Sequence, residues 1–180
     1  MTVDDEIYLK PLEKDDAIHI FETINTQRKY MQEWLPFVPY TRELYDSLQY
    51  VDYVLNMPDE YKEEVYTILY HNEFCGIIGL KPVDWNNMRS EFGYWLSQPF
   101  QGKGIVTRCV QRLLHYAFND LKINRIQIKC AVGNVRSSNI PKRLGFTFEG
   151  IEREGERYND QRYFDIEVYS LLQREFLSKG

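Results

Sequence analysis

The sequence predicts an α/β domain built on a mixed β-sheet, and three observations lead to that fold class. Apolar residues recur at helical spacing in several segments. Other segments alternate between apolar and polar residues, or run apolar throughout, as strands do. One strand–helix–strand unit, over residues 91–132, has the length of a parallel crossover. Because 180 residues suit one hydrophobic core, we expect a single domain over residues 1–180.

The N-terminal part of the chain predicts one strand followed by two helices. The strand covers residues 7–12, and Asp15 or Asp16 is placed to cap the first helix. Thr41 is placed to cap the second helix. Its apolar positions are spaced along one helical face, at Leu44, Leu48, Val51 and Leu55.

The middle of the chain predicts a β-hairpin and a further strand. Two apolar runs, residues 65–71 and 74–80, flank the short turn Asn72-Glu73. Residues 91–96 form the next strand-like run. These three strands would lie before the glycine pair and the helix-periodic apolar segment that follows it.

The second half of the chain predicts two helices and three strands. The first helix follows a pair of glycines at 102 and 104, and residues 125–132 then alternate as a strand with one buried face. A helix over residues 137–144 is expected to stop at Gly145, a residue type favoured just past a helix end. The last two strands are expected at residues 147–157 and 163–172.

Composition excludes several function classes. The net charge of −5 argues against a nucleic-acid partner, which needs a basic footprint. No apolar run reaches the roughly 20 residues of a membrane span, and the N-terminus has no signal-peptide pattern, so we expect a cytoplasmic protein without a membrane partner. The three scattered cysteines predict no metal site. The 14 tyrosines and 10 phenylalanines are consistent with a homodimer.

The glycine pair opens a helix, where an anion is the expected ligand. Glycines let backbone N–H groups approach a ligand closely, and a helix start adds donors and a positive dipole end. Lys103 and Arg108 add positive charge. The Walker A spacing is absent, and Thr107 stands where a dinucleotide fingerprint needs its third glycine. The alternative is a simple turn between a strand and a helix.

Two motifs carry a resemblance to a known family. Gln101-Gly102-Lys103-Gly104-Ile105-Val106 resembles the Q/R-x-x-G-x-G/A signature of the GNAT acetyltransferases, with valine in place of the last small residue. The segment from Asn134 to Phe146 resembles the family's N-x-x-S…L-G-F motif. The resemblance covers nearly the whole chain and is strongest to the RimJ/RimL-type branch, the ribosomal-protein N-terminal acetyltransferases.

The resemblance implies a fold and a cofactor site. The fold is a mixed, mostly antiparallel sheet whose central parallel strands splay apart, flanked by helices. The cosubstrate is acetyl-CoA, with its pyrophosphate on the glycine loop and its pantetheine arm between the splayed strands. Asn134 would contact that arm, although a capping role alone is the alternative. The implied cofactor-binding residues are Trp95, Leu96, Gln101, Gly102, Lys103, Gly104, Ile105, Val106, Thr107 and Asn134.

The resemblance also suggests catalytic residues, with alternatives for each. Many family members place a tyrosine acid where this chain has Pro141, so Ser137 is the substitute that would hydrogen-bond the departing thiolate. Equally, Ser137 would serve only as a helix cap. Glu64 or Glu91 would act as the general base; otherwise each is an ordinary surface carboxylate and water relays the proton.

The predicted function is direct acetyl transfer from acetyl-CoA to a primary amine. The resemblance implies a protein N-terminus as acceptor, such as that of a ribosomal protein. The alternatives are a small-molecule acceptor, such as a polyamine or an antibiotic, and a non-catalytic acyl-CoA-binding sensor. The C-terminal strand pair would line the acceptor side or a dimer contact with Tyr158, Asp160, Tyr163 and Asp165.

Overall fold

Seven strands and six α-helices form the fold in a computed structural model, which describes residues 1–159 and 162–178. The strands are β1 (Ile7–Pro11), β2 (Glu64–Tyr70), β3 (Glu73–Leu80), β4 (Arg89–Leu96), β5 (Arg125–Ala131), β6 (Thr147–Asn159) and β7 (Arg162–Leu172). The helices are α1 (Asp16–Thr26), α2 (Arg28–Met31), α3 (Leu44–Leu55), α4 (Ile105–His115), α5 (Val135–Arg143) and α6 (Gln173–Leu177).

The strands form one mixed sheet in the order β1-β2-β3-β4-β5-β7-β6. Strands β4 and β5 are parallel and joined by α4, whereas β7 is antiparallel to both β5 and β6. The α/β fold class and the parallel crossover are therefore confirmed. The parallel register runs from the pair Arg89–Arg125 to the pair Phe92–Ile128, while β4 continues to Leu96. Splaying of the two strands beyond that register stays a prediction.

The chain packs as two compact units. The first comprises Met1–Gly79 with Tyr94–Ile105, and the second comprises Leu80–Gly93 with Val106–Gly180. A core cluster of the first unit consists of Leu12, Ala17, Ile20, Ile24, Met31, Val38, Val51, Val54, Val65 and Ile77. In the second unit, β5 buries Ile126, Ile128 and Cys130 as predicted, but the strand ends at Ala131, and Val132, predicted to belong to it, is 43% exposed. The extent of a single domain over residues 1–180 stays a prediction.

The start and the buried face of α3 differ from the prediction. Glu43, rather than Thr41, is the N-cap residue, and the Asp46 carboxylate accepts the backbone N–H of Arg42 at 2.7 Å and of Glu43 at 2.9 Å. The buried positions are Ser47, Val51 and Val54. Three of the four predicted core positions are more than a third exposed, at Leu44, Leu48 and Leu55.

The hairpin turn is shifted by one residue from the prediction. His71 and Asn72, with φ of 50° and 65°, form the connection, and Glu73 already belongs to β3. Two consecutive residues with positive φ match the twist that a two-residue hairpin needs.

None of the helices in the described part of the chain is long and apolar enough to cross a bilayer.

Candidate functional site

Residues 101–104 form a loop that leads from the helical turn Gln98–Phe100 into α4. Gly102 and Gly104 have φ of 75° and 72°, a left-handed conformation that glycine adopts without steric cost. A Cβ atom added at either glycine would meet no heavy atom within 4 Å. The loop backbone therefore borders open space, which suits a ligand that approaches closely.

The first turn of α4 presents backbone donors rather than side chains. Ile105 and Val106 are buried, with 1% and 7% of their surface exposed, so their side chains pack inward. The first turn contains no acidic residue. The N–H groups at a helix start lack helical partners and lie at the positive end of the helix dipole. A loop of this kind fits the diphosphate of a nucleotide cofactor.

Lys103 adds a cation that lies against two aromatic rings. Its ammonium lies 5.0 Å from the ring centre of Tyr70 and 5.4 Å from that of Phe100. The two rings meet edge to face with centres 6.2 Å apart. Such cation–π contacts stabilise the charge while leaving its attraction for an anion intact.

The first turn of α4 also meets a cation that sequence reasoning missed. Arg143, in the last turn of α5, donates from Nη1 to Thr107 Oγ1 at 3.0 Å. Thr107 was predicted to contact the cofactor, and the structure adds the guanidinium beside it. The place of Arg143 directly before the L-G-F motif was the signal available in the sequence.

Trp95 and Leu96 end β4 against an unusually close neighbour. A Cβ atom at Gly76 of β3 would collide with the Trp95 carbonyl oxygen and lie 3.0 Å from Leu96 Cα, so only glycine allows this approach. The Trp95 ring packs edge to face against Phe74, with centres 6.0 Å apart. Its side chain therefore belongs to the core, and only its backbone suits the predicted cofactor contact.

The start of α5 corrects one prediction and resolves another. The helix begins at Val135 with Asn134 as N-cap, and not at Ser137 as expected. Asn134 Oδ1 accepts the backbone N–H of Ser137 at 3.2 Å. Ser137 thus lies in the first turn, and the alternative that it caps the helix is wrong. Asn134 caps the helix, because its oxygen reaches the donor three residues ahead, and its predicted contact with the cofactor stays a prediction.

The Ser137 hydroxyl lies beside a buried thiol. Its Oγ is 3.2 Å from Cys130 Sγ at the end of β5, and Cys130 is 3% exposed. A hydroxyl is both donor and acceptor and rotates to suit its partner. The Ser137 hydroxyl can therefore donate a hydrogen bond at the start of α5.

The two predicted carboxylate bases have defined partners. In the first unit, Glu64 Oε2 accepts from the Tyr66 hydroxyl at 2.8 Å. In the second unit, Glu91 Oε2 accepts from Gln127 Nε2 at 2.8 Å, and its other oxygen forms an ion pair with Lys81. The Glu91 side chain is only 13% exposed. Neither carboxylate is an isolated surface charge.

A third carboxylate was missed by sequence reasoning. Burial raises the pKa of Glu156, with a further contribution from the negative charge of Glu91; Lys81 and Lys129 oppose the shift. Glu156 faces these groups because β6 pairs with β7, where it lies opposite Phe164. No local pattern in the sequence marks it, since the pairing alone brings the charges together.

The C-terminal strand pair is held by its own side chains. Asp165 Oδ1 accepts the backbone N–H of Glu154 at 2.7 Å, and the Tyr158 ring packs on Phe164 with centres 5.1 Å apart. Tyr163 is about half exposed, at 47%. Asp160 lies outside the described residues. The acceptor-side role of this segment stays a prediction.

Within residues 1–159 and 162–178, no group of three or more His, Cys, Asp or Glu side chains could hold a metal ion. The candidate site residues offer backbone donors, the Ser137 hydroxyl and several carboxylates. An open glycine loop with cations suits a phosphorylated cofactor, and the carboxylates suit proton transfer.

Comparison with known proteins agrees with this arrangement. The family model described as an acetyltransferase (GNAT) domain matches residues 6–147. A Bacillus subtilis (strain 168) protein named as a ribosomal N-acetyltransferase, YdaF, is 36% identical over 176 residues, covering 97% of this chain and 95% of that protein. The ribosomal-protein-serine acetyltransferase of Escherichia coli (strain K12) is 25% identical, covering 94% of each chain. A spermidine N(1)-acetyltransferase of Vibrio cholerae is also 25% identical, covering 97% of this chain and 98% of its own.

Solved structures share the fold. RimL, a ribosomal L7/L12 alpha-N-protein acetyltransferase in complex with coenzyme A, superposes with a TM-score of 0.87 at 24% identity, covering 95% of this chain and 96% of that one. The microcin C7 self-immunity acetyltransferase MccE, in complex with acetyl-CoA and AMP, has a TM-score of 0.86 at 27% identity, covering 94% of each chain. The chain therefore belongs to the GNAT family of acetyltransferases, which confirms both the predicted family and the predicted enzyme class, an acyltransferase.

Proposed function

We propose that this protein transfers an acetyl group from acetyl-CoA directly to the α-amine of a protein N-terminus, with a ribosomal protein as the acceptor. The observation that carries the proposal is the loop of residues 101–104. Its two left-handed glycines border open space at the start of α4. Such a loop suits the diphosphate of coenzyme A.

The cofactor contacts follow from that loop. Backbone N–H groups of residues 102–106 would hold the diphosphate, while Gln101 precedes them and Lys103 and Thr107 contribute polar side chains. The backbone of Trp95 and Leu96 would bind the pantetheine arm as an added strand does. Asn134 would meet the same arm with the part of its amide not used in capping.

Bound acetyl-CoA supplies an acyl group activated as a thioester. The chain must then stabilise the departing thiolate and accept the proton of the amine. Ser137 is the proposed hydrogen-bond donor to the thiolate. Its place in the first turn of α5, with its hydroxyl oxygen 3.2 Å from the Cys130 sulfur at the end of β5, supports this role.

Transfer without a covalent enzyme intermediate fits the cysteines. Cys75 and Cys109 are fully buried, and Cys130 is 3% exposed. Burial, with a contribution from Glu73, raises the pKa of Cys75 to about 12, which keeps its thiol protonated at neutral pH. A thiol must be ionised and accessible to act as a nucleophile.

Glu156 is the proposed base, with Glu91 beside it and Glu64 as the alternative. A carboxylate is a stronger base when its pKa is raised, and burial raises the pKa of Glu156. Below its pKa, Glu156 is protonated and cannot accept a proton. The rate should therefore rise with pH through the raised pKa of Glu156 and level off above it.

The base is tested by comparing Glu156→Gln, Glu91→Gln and Glu64→Gln. Loss of a general base lowers kcat by about 100-fold or more. We expect that loss in Glu156→Gln, together with loss of the acid limb of the pH–rate profile. If the pH–rate profile of Glu156→Gln stayed normal while that of Glu91→Gln or Glu64→Gln lost its acid limb, the residue replaced in the affected variant would be the base instead.

An N-terminal acceptor fits a base of modest strength. An α-amine has a pKa near 8, so roughly a tenth of it is neutral at pH 7, whereas a lysine side chain is neutral in only about one molecule in several thousand. The relatives named for ribosomal-protein acetylation support the same acceptor class.

We also propose that the protein acts in the cytoplasm. That it forms a homodimer stays a prediction.

A thiol-release assay tests the acceptor. The protein is mixed with acetyl-CoA and a peptide that begins with a free serine, and the matched control is the same peptide with a blocked N-terminus and an internal lysine. We expect release of CoA with the first peptide and little with the second. Release with the blocked peptide alone would contradict the proposed acceptor.

Spermidine is the second candidate acceptor. The similarity to a spermidine N(1)-acetyltransferase and the net charge of −5 both favour a polycation. The assay therefore includes spermidine and an aminoglycoside. A higher kcat/KM for spermidine than for the peptide would replace the N-terminal acceptor, and binding of acetyl-CoA without release from any amine would indicate a sensor.

A further inference from the structure

The segment that leads into the glycine loop, residues 97–101, is held by side chains from the junction of α1 and α2. Gln27 uses both ends of its amide: Nε2 donates to Ser97 Oγ at 2.8 Å, and Oε1 accepts the backbone N–H of Gln98 at 2.8 Å. The hydroxyl of Tyr30 accepts a hydrogen bond from Gln101 Nε2. Three side-chain contacts thus reach a stretch of five residues.

The junction that supplies these side chains is itself anchored. Ile24 and Met31, on either side of it, are 1% and 2% exposed. Between them, Arg28 donates from Nη1 to the Val38 carbonyl at 2.6 Å and from Nη2 to the Thr41 carbonyl at 2.7 Å. A side chain projecting from such a base has little freedom, so its partner is held in a defined position.

The contacts end where the glycines begin. Within the segment, the N–H of Phe100 bonds to the Ser97 carbonyl at 3.1 Å, and the N–H of Gln101 bonds to the Gln98 carbonyl at 3.2 Å. Gly102 follows directly, and a Cβ atom there would meet no heavy atom within 4 Å. Gln101 is therefore the boundary between a fixed backbone and a loop open to a ligand.

We propose that Gln27 and Tyr30 are positioning residues for the cofactor loop. By fixing Gln98 and Gln101, they hold the backbone before Gly102 so that the loop N–H groups are aligned before coenzyme A arrives. Holding a binding loop in its bound geometry raises affinity because less ordering is needed on binding. The inference rests on the proposed function, since it takes coenzyme A as the loop's ligand.

Paired substitutions test the two residues. Tyr30→Phe removes only the hydroxyl that Gln101 contacts, and Gln27→Leu removes both amide contacts at similar volume. Gln27→Glu is the conservative variant, since its carboxylate can accept from Gln98 N–H and from the Ser97 hydroxyl. Tyr53→Phe is the matched control: Tyr53 lies on α3 and is 65% exposed.

The expected result is a weaker cofactor site in an otherwise intact protein. Calorimetry with coenzyme A should show Kd raised about three- to tenfold in Tyr30→Phe and Gln27→Leu, the factor that one or two net hydrogen bonds contribute. Gln27→Glu and Tyr53→Phe should stay close to the wild type. Hydrogen exchange in the ligand-free protein should be faster over residues 98–106 and unchanged over α1 and α3.

Two results would overturn the inference. One is a Kd for coenzyme A and an exchange rate over residues 98–106 that match the wild type in both variants. The other is faster exchange spread equally over α1, α3 and the loop, which would mean that the contacts only stabilise the unit. If the wild-type protein bound no coenzyme A, the proposed function would fail. The exchange data on the ligand-free protein would still decide whether Gln27 and Tyr30 hold residues 97–101 in place.

Discussion

Helices α4 and α5 both begin at a family motif, but their N-termini are built in opposite ways. Helix α4 follows Gly104, which has no side chain that could cap it and which adopts a φ of 72°. Helix α5 follows Asn134, whose own oxygen accepts the N–H of Ser137 at 3.2 Å. The N–H groups at the start of α4 suit a ligand as their hydrogen-bond acceptor. At the start of α5, the chain supplies the acceptor itself through Asn134.

This difference separates two roles that the motifs alone do not distinguish. At α4 the backbone is the binding group, so substitutions there should change cofactor affinity. At α5 the cap fixes the helix start and thereby places the Ser137 hydroxyl. Substitutions of Asn134 and Ser137, at the start of α5, should therefore change stability or the chemical step and leave cofactor affinity nearly unchanged.

Among substitutions at the two helix starts, the largest expected effect is that of Ser137→Ala on the chemical step. Loss of a hydrogen bond to a charged group costs about 1.5–3 kcal/mol, so kcat should fall about 10- to 100-fold. The Kd of coenzyme A should not change. Steady-state kinetics and calorimetry measure the two quantities. Ser138→Ala, at the next position of the helix, is the control; an equal loss of kcat there would remove the case for Ser137.

The next effect is that of Gly104→Ala on cofactor binding. A residue with Cβ in the left-handed region costs about 1–2 kcal/mol, and the methyl group enters the open space beside the loop. Coenzyme A should bind about tenfold more weakly or worse, by calorimetry. Gly145→Ala is matched in strain because Gly145 has a φ of 75°. If Gly145→Ala weakened the binding of coenzyme A as much, backbone strain in general, and not the position of Gly104 in the loop, would explain the loss.

A smaller effect is expected for Arg143→Gln, which removes the charge beside Thr107. A charge near a helix end contributes about 0.3–1 kcal/mol, so Kd for coenzyme A should rise about two- to fivefold at low salt. The difference should shrink as salt is added. Arg136→Gln, on the same helix and also exposed, is the control. A salt-independent change would assign Arg143 a structural role instead.

The smallest effect on the site is expected for Asn134→Ala. Removing an N-cap side chain costs about 1 kcal/mol of stability, measured by urea unfolding, while Kd for coenzyme A should change less than about twofold. Asn134→Asp keeps an acceptor oxygen at the cap and should restore most of the stability. A large loss of coenzyme A affinity without loss of stability would show that the predicted cofactor contact dominates at Asn134.

Local sequence patterns predicted the elements well where the signal was local. The glycine pair and the apolar spacing after it predicted α4, and the alternation within residues 125–132 predicted β5, which ends at Ala131. Gly145 marked the end of α5, since a left-handed residue past a helix end is favoured as glycine. These features depend on backbone geometry and on side chains a few positions apart, which the sequence states directly.

The sequence was a poorer guide to which residue caps a helix and which face of a helix is buried. Thr41 and Ser137 are good cap residues, yet Glu43 and Asn134 are the caps. Helix α3 buries Ser47 beside Val51 instead of the leucine stripe, because packing within its unit selects which side of the helix is covered. Several caps and faces satisfy the same local rule, and packing decides among them.

The sequence by itself determined the family, the crossover around α4 and the glycine loop before that helix, because motifs, glycines and apolar periodicity act over a few residues. Only the tertiary structure decided that Glu156 lies near Glu91, that Arg143 meets Thr107 and that Gln27 and Tyr30 hold residues 97–101. These groups are far apart in the chain. Their charges and hydrogen bonds exist only after strand pairing and helix packing bring them together.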